Sequence, residues 1–325
     1  MNPDQGRVVA NPARGYDGDV ERSTQGGHPR PWRARARQAT IVGSGLVGLP
    51  LSGFRSLPDF VVIGGQRCGS TSLHAALERH PAILTARIKE AHYFDHHHVW
   101  GERWYRGHFP LGLSGTLRQR RYGSRPLVGE STPYYLMHPL VPARLHSLIP
   151  NAKLICVLRD PVSRAYSHYQ HEVARGHETL SFEDALAAEP ERIAGERERL
   201  EIDPAYRSHA YFHHSYVTRG RYAEQLERWL ALFPRTQILI VQSERLWREP
   251  GSVMAEVEHF LGIPESEGAV AFEHHQGRRY PAMAGETRRR LTCEFEQPNE
   301  ELYRLLGERY DWASPARPER LVSSR

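Results

Sequence analysis

Cysteine is scarce in this chain: three residues in 325, at Cys68, Cys156 and Cys293. An odd count cannot pair completely within one chain, so a disulfide framework is excluded, and reduced thiols in a cytoplasmic protein are the expectation. Long apolar runs are missing as well. No stretch reaches the roughly 20 residues that span a bilayer. The nearest approach, 39–54, follows an Arg-rich segment as a secretory signal would, but four glycines, a proline and two serines interrupt it. The chain also lacks a basic central region. Its net charge is +5, yet residues 1–55 hold eight arginines against four acids and residues 315–325 hold three arginines against one glutamate, which leaves the intervening chain one charge negative. A nucleic-acid binder concentrates basic charge on its folded domain, so nucleic acid is not expected as a partner.

What is present begins at Phe60. The run Phe-Val-Val-Ile-Gly-Gly-Gln-Arg-Cys-Gly-Ser-Thr-Ser-Leu over 60–73 reads as a buried strand, a glycine-punctuated turn and a helix opened by Ser and Thr. Gly64, Gly65 and Gly69 let backbone N–H groups turn towards an anion, and the positive end of the following helix favours phosphate or sulfate. Gly64 and Gly69 have the separation of a nucleoside-triphosphate P-loop, but Ser70 stands where that motif requires lysine, and the cation, Arg67, precedes Gly69. Residues 154–169 repeat the strand-turn-helix plan, with Arg159 at the end of the strand and Ser167 in the helix. Asp160 reads as the N-cap of that helix and Pro161 as its first residue.

Together the two segments resemble the phosphosulfate loop and the 3′-phosphate motif of sulfotransferases that use 3′-phosphoadenosine-5′-phosphosulfate (PAPS). Lys89-Glu90-Ala91-His92-Tyr93-Phe94, the block from Gly129 to Leu136, and Gly277-Arg278-Arg279-Tyr280-Pro281 also resemble family blocks in family order. The similarity is greatest to the branch that includes heparan sulfate sulfotransferase domains and bacterial homologues. The resemblance implies an α/β, P-loop-like three-layer fold with a central parallel sheet flanked by helices. It also implies that Gln66, Arg67, Cys68, Gly69, Ser70, Thr71 and Ser72 surround the phosphosulfate. Arg159 and Ser167 then hold the 3′-phosphate, and the loop of Gly277, Arg278, Arg279 and Tyr280 closes over it. Arg67 stands where many relatives have lysine; a permanent guanidinium still stabilises a departing phosphate. Glu90 is the implied general base, taking a proton from the acceptor, and His92 is the other candidate.

Residues 1–55 are rich in Pro, Gly and Arg with little periodicity and read as a disordered basic arm. Residues 56–314 then form the sulfotransferase domain and 315–325 a tail. Strands are expected at 60–63, 127–129, 153–158 and 237–241, separated by helices. The apolar stripe Val162, Ala165, Tyr166, Tyr169 and Val173 is expected against the sheet, and Tyr222, Leu226, Trp229, Leu230 and Phe233 form a second core stripe. Pro298 is expected to interrupt a helix over 286–306, with Asn299 capping its second segment.

His92, His96, His97 and His98 are consecutive or nearly so and therefore diverge, and no Cys or carboxylate cluster has a zinc spacing, so no metal is expected. His213 and His214 read as surface residues. A P-loop kinase or other nucleoside-triphosphatase accounts for only the first motif, and a noncatalytic nucleotide-binding module leaves the Glu90 block without a role. The acceptor is a small molecule or saccharide bearing a hydroxyl or amine. The near-neutral central region favours a neutral or weakly charged one over a long polyanion.

Overall fold

The computed structural model describes residues 31–112, 125–266 and 280–312. Among these, five strands form one sheet: β1 (Phe60–Gly64), β2 (Ile83–Thr85), β3 (Leu127–Ser131), β4 (Lys153–Leu158) and β5 (Ile238–Gln242). Their order is β2-β3-β1-β4-β5, and every pairing is parallel. The helices are α1 (Pro31–Gly48), α2 (Ser70–Arg79), α3 (Gly101–Arg106), α4 (Val141–Leu148), α5 (Pro161–Arg175), α6 (Phe182–Ile193), α7 (Glu196–Ile202), α8 (His209–His213), α9 (Tyr222–Leu230), α10 (Ser243–Arg248), α11 (Pro250–Leu261) and α12 (Gly285–Leu306).

Parallel strands joined by helical crossovers are covered on both faces, and their side chains alternate between two cores. In β1 and β4, Val61, Ile63, Leu154, Cys156 and Leu158 face one core, which includes Tyr222, Leu226, Trp229 and Phe233. Phe60, Val62, Ile155 and Val157 face the other, which includes Leu73 and Leu77 of α2 and Val253, Val257 and Leu261 of α11. The three-layer expectation is met, and the second apolar stripe is core. The carboxyl ends of the strands lie on one edge, where a doubly wound sheet builds its crevice.

Strand β2, with three residues, is too short to show a period in the sequence. Helix α12 runs unbroken through Pro298. Leu291 and Phe295 before the proline and Leu302 after it are all buried, and this packing overrides the local preference for a break. The α5 stripe does not face the sheet. Val162 and Ala165 pack with Phe182, Ala185, Tyr216, Leu291 and Phe295, while Val173 is 39% exposed.

Part of the expected disordered arm is folded. Residues 31–48 form α1, and a 3-10 turn follows over 49–54. Ile41 is buried and the Ser44 hydroxyl lies 2.6 Å from His108 Nδ1. Two of the four glycines that broke this segment as an apolar run, Gly45 and Gly48, are what let it dock against Trp104 and Gly107. A Cβ on Gly48 would lie 2.2 Å from the carbonyl oxygen of Gly107, just past the end of α3. Residues 31–55 contribute four arginines and no acid, and the described residues as a whole carry no net charge.

Gly48→Ala forces that contact apart. We expect a loss of about 1–3 kcal/mol, as for other overpacked sites, with faster proteolytic cleavage near α1. Wild-type stability in a denaturant titration would show that α1 does not need this approach.

Candidate functional site

The β1–α2 loop forms the centre of the site. Gly69 caps α2 at φ +99°, in the left-handed region that favours glycine, and it offers no side-chain cap to the first turn. The opening N–H groups of α2 therefore face the loop, with Ser70 and Ser72 buried beneath and Thr71 exposed. Cys68 is fully buried, and burial pushes its thiol up to about 11, so it fills core space as a neutral thiol. Gln66 Oε1 is buried without a hydrogen-bond partner.

Arg67 has φ +67° and reaches out of the loop to α5. Its Nε donates to Ser167 Oγ at 3.2 Å, and its Nη1 lies 3.4 Å from His171 Nδ1, one helical turn beyond. Arg159 Nη1 donates to the Arg67 carbonyl at 3.4 Å. Both sequence motifs thus meet in one cationic cluster. Burial holds the Arg67 guanidinium below its ordinary range, and Arg159 and Arg175 add to this, while Tyr280 opposes it. Asp160 is committed to capping α5 through the N–H groups of Val162 and Ser163, at 3.2 and 3.1 Å. Tyr280 stands edge-on to Tyr166, 5.4 Å between ring centroids. Gly277, Arg278 and Arg279 lie outside the described residues.

The sequence marks Lys89 only as the first residue of the block around Glu90, with no role of its own. Its Nζ donates to Thr71 Oγ1 at 2.6 Å and lies 3.5 Å from Glu90 Oε1. The ammonium missing from position 70 therefore arrives at the start of α2 from the loop after β2. No spacing within one segment reveals this, because Lys89 and Thr71 meet only through the pairing of β2 with the sheet. His171 did have a signal, its i+4 relation to Ser167.

Glu90 and His92 both have positive φ, +62° and +51°, a costly conformation for non-glycine residues that surrounding contacts must hold. Glu90 N donates to the Ser131 carbonyl at 2.9 Å. The buried carboxylate of Glu130 accepts from Tyr105, from Thr132 Oγ1 at 2.8 Å and from the Tyr135 hydroxyl at 2.8 Å. The Tyr135 oxygen in turn accepts from Tyr93 N at 3.0 Å. These bonds fix the chain just beyond His92. His92 Nδ1 is 2.6 Å from Asp95 Oδ2, and its Nε2 is 3.8 Å from Glu90 Oε2. Burial alone would lower the imidazole pKa, but the carboxylates of Asp95 and Glu90 raise it to about 9.

A loop over a helix N-terminus with Lys89 beside it, the cationic cluster of Arg67 and Arg159, and a carboxylate between a lysine and a histidine are suited to a donor with two anionic groups and a proton-bearing acceptor. The sulfotransferase domain, as a family, matches residues 57–277. The chain belongs to the sulfotransferase family. Among its curated relatives, it is 31% identical over 283 residues to human bifunctional heparan sulfate N-deacetylase/N-sulfotransferase 3, an alignment that covers 77% of this chain and 30% of that protein. It is 29% identical to membrane-associated sulfotransferase kil1 of Dictyostelium discoideum, covering 79% of this chain and 66% of the relative. The chain therefore spans between about a third and two thirds of these relatives. Among solved structures, a sulfotransferase from Alicyclobacillus acidocaldarius superposes with TM-score 0.59 at 28% identity, covering 79% of this chain and 99% of that one.

In this sulfotransferase, His92 is protonated at neutral pH and paired with Asp95. Its folded pKa of about 9 lies above the ordinary 6.5, so the stabilisation is fully present below pH 6.5 and is lost as pH rises through about 9. The stability gap between wild type and His92→Gln should narrow across that window in denaturant titrations. A gap constant from pH 6.5 to 9 would contradict the raised pKa.

Proposed function

We propose that this sulfotransferase moves a sulfuryl group from PAPS to a hydroxyl or amine of a saccharide or smaller acceptor and releases 3′-phosphoadenosine-5′-phosphate (PAP). The observation that carries this reading is the Arg67–Ser167 contact, which joins two anion-binding motifs beside Lys89 and Glu90. A donor with a phosphosulfate at one end and a 3′-phosphate at the other needs two separate clusters of donors. The α2 N-terminus with Lys89 and Thr71 suits the first. Arg67, Arg159 and Ser167 suit the second, and charged donors there give the stronger hydrogen bonds. Bound in this way, PAPS supplies the sulfuryl group on a phosphate leaving group.

The chain's own residues divide the remaining work. Lys89 provides positive charge at the α2 end, a role the sequence reading gave to Arg67, while Arg67 acts from the α5 side. Glu90 takes the proton from the acceptor. His92, as an imidazolium held by Asp95, is unsuited to accept that proton and instead positions the Glu90 carboxylate. Saccharide acceptors draw support from the heparan sulfate named in the relatives. A cytoplasmic setting without metal in the transfer step belongs to the same proposal; cell fractionation and turnover in chelator test these two points.

Arg159→Ala should weaken PAP binding by about 1.5–3 kcal/mol, the worth of charged hydrogen bonds, and PAP should bind more tightly than adenosine 5′-phosphosulfate. Equal calorimetric affinities for the two nucleotides would remove the second cluster from the donor site. Glu90→Gln should leave PAP binding intact and lower kcat roughly a hundredfold. Unchanged turnover would take the base role from Glu90. Comparing kcat/KM for heparan-type oligosaccharides, uncharged sugars and small alcohols then identifies the acceptor class.

A further inference from the structure

Beyond the donor site, the end of α5 and helix α8 bring three histidines together. His177, His209 and His213 each offer one ring nitrogen, and these atoms lie within 4.8 Å of one another. His209 and His213 are four residues apart on α8 and share a face, with ring centroids 4.5 Å apart. His177 arrives from a different element. Helix α5 ends at Gly176 in the left-handed region, and His177 N donates back to the Glu172 carbonyl at 2.9 Å. This turn stacks the His177 ring on His213 with centroids 4.1 Å apart.

The deciding feature is Glu172. Its carboxylate is buried, and its Oε2 lies 2.7 Å from His213 Nδ1. That bond assigns the His213 proton to Nδ1 and leaves Nε2 with a lone pair for a ligand, the arrangement that orients metal-binding histidines. The expectation of a surface His213 is corrected here, since it is 6% exposed. His177 is half-buried and His209 exposed, which gives the cluster an inner wall and an open side.

We propose that His177, His209 and His213 bind a divalent transition-metal ion of the Zn²⁺ type, with Glu172 behind His213 and a fourth position open to solvent. Three imidazoles suit zinc and its borderline neighbours and do not suit Mg²⁺ or Ca²⁺, which take oxygen ligands. Bonds of about 2.0–2.1 Å place tetrahedral zinc ligands about 3.3 Å apart, a closure that small rotations of the exposed His209 ring supply. The second histidine-carboxylate group, His92, Asp95 and His96, is the weaker candidate. There Asp95 is already engaged by His92 and by the His96 N–H at 2.7 Å.

The ion would act as a clasp. It ties the end of α5, the helix that carries Ser167, to α8, whose Phe212 packs 5.1 Å from His96 and 4.6 Å from Tyr134. Sequence spacing hid the set because the adjacent pair His213–His214 drew attention, while the ligand pair is His209–His213 and the third residue lies 32 positions upstream of His209.

The test uses the full chain without a histidine tag, stripped with chelator and titrated calorimetrically with ZnCl₂ alone. Wild type should bind one equivalent and gain thermal stability, and Co²⁺ in its place should give the visible band of a tetrahedral site. His209→Ala, exposed and so tolerated by the fold, should lose at least about tenfold in affinity, as should His177→Ala; His96→Ala should bind as wild type. Glu172→Gln should weaken binding about 10–100-fold, the usual cost of losing such a partner. Absence of saturable binding by wild type would overturn the proposal. So would affinity unaffected by His209→Ala, or affinity lost in His96→Ala.

Discussion

Burial of β1 on both faces is the constraint on which the rest depends. Its five residues are all buried, so the chain must leave the strand at its carboxyl end, into the crevice between neighbouring crossovers. β3 and β4 flank it as parallel strands and deliver their own carboxyl-terminal loops to the same edge. Glu130 with Ser131 arrives from one side and Arg159 with α5 from the other. The Arg67–Ser167 contact follows from this packing, since loops after adjacent strands are the ones that meet.

Electrostatics then assigns roles to what the sheet brings together. Lys89, Arg67 and Arg159 converge on the exits of β1 and β4, where like charges raise one another's energy unless an anion is bound. Glu90 is held between Lys89 and a protonated His92, each with a fixed partner elsewhere, Thr71 and Asp95 respectively. The backbone cost of positive φ at Glu90 and His92 is offset by bonds made outside the segment, from Ser131 and Tyr135. The block from Gly129 to Leu136 serves the site through these bonds: a buried carboxylate orders a tyrosine, and the tyrosine orders the loop.

The helix α1 shows how composition misleads when contacts are unknown. Glycine, arginine and proline together read as disorder because such a segment buries little apolar surface on its own. Against α3 the same glycines permit backbone-to-backbone approach, and Ile41 supplies the apolar surface. The histidines follow the same logic. His92 and His96 stack with centroids 5.1 Å apart where divergence was expected, and His177, just past α5, meets His209 and His213 of α8 beside the buried Glu172.

The sequence by itself determined the strand-loop-helix units and their anion-binding ends, because Gly69, Asp160, Pro161 and the apolar runs act through local backbone preference and short-range capping. It also carried the family blocks, and with them the positions of Arg159, Ser167 and Glu90. Tertiary structure decided which side chains meet. Lys89 reaches Thr71 only because the three-residue β2 adds to the sheet edge. Arg67 turns to Ser167 only because β1 and β4 are neighbours, and α12 continues through Pro298 only because packing on both sides holds it. Each of these depends on contacts between residues far apart in the chain, which no local pattern encodes.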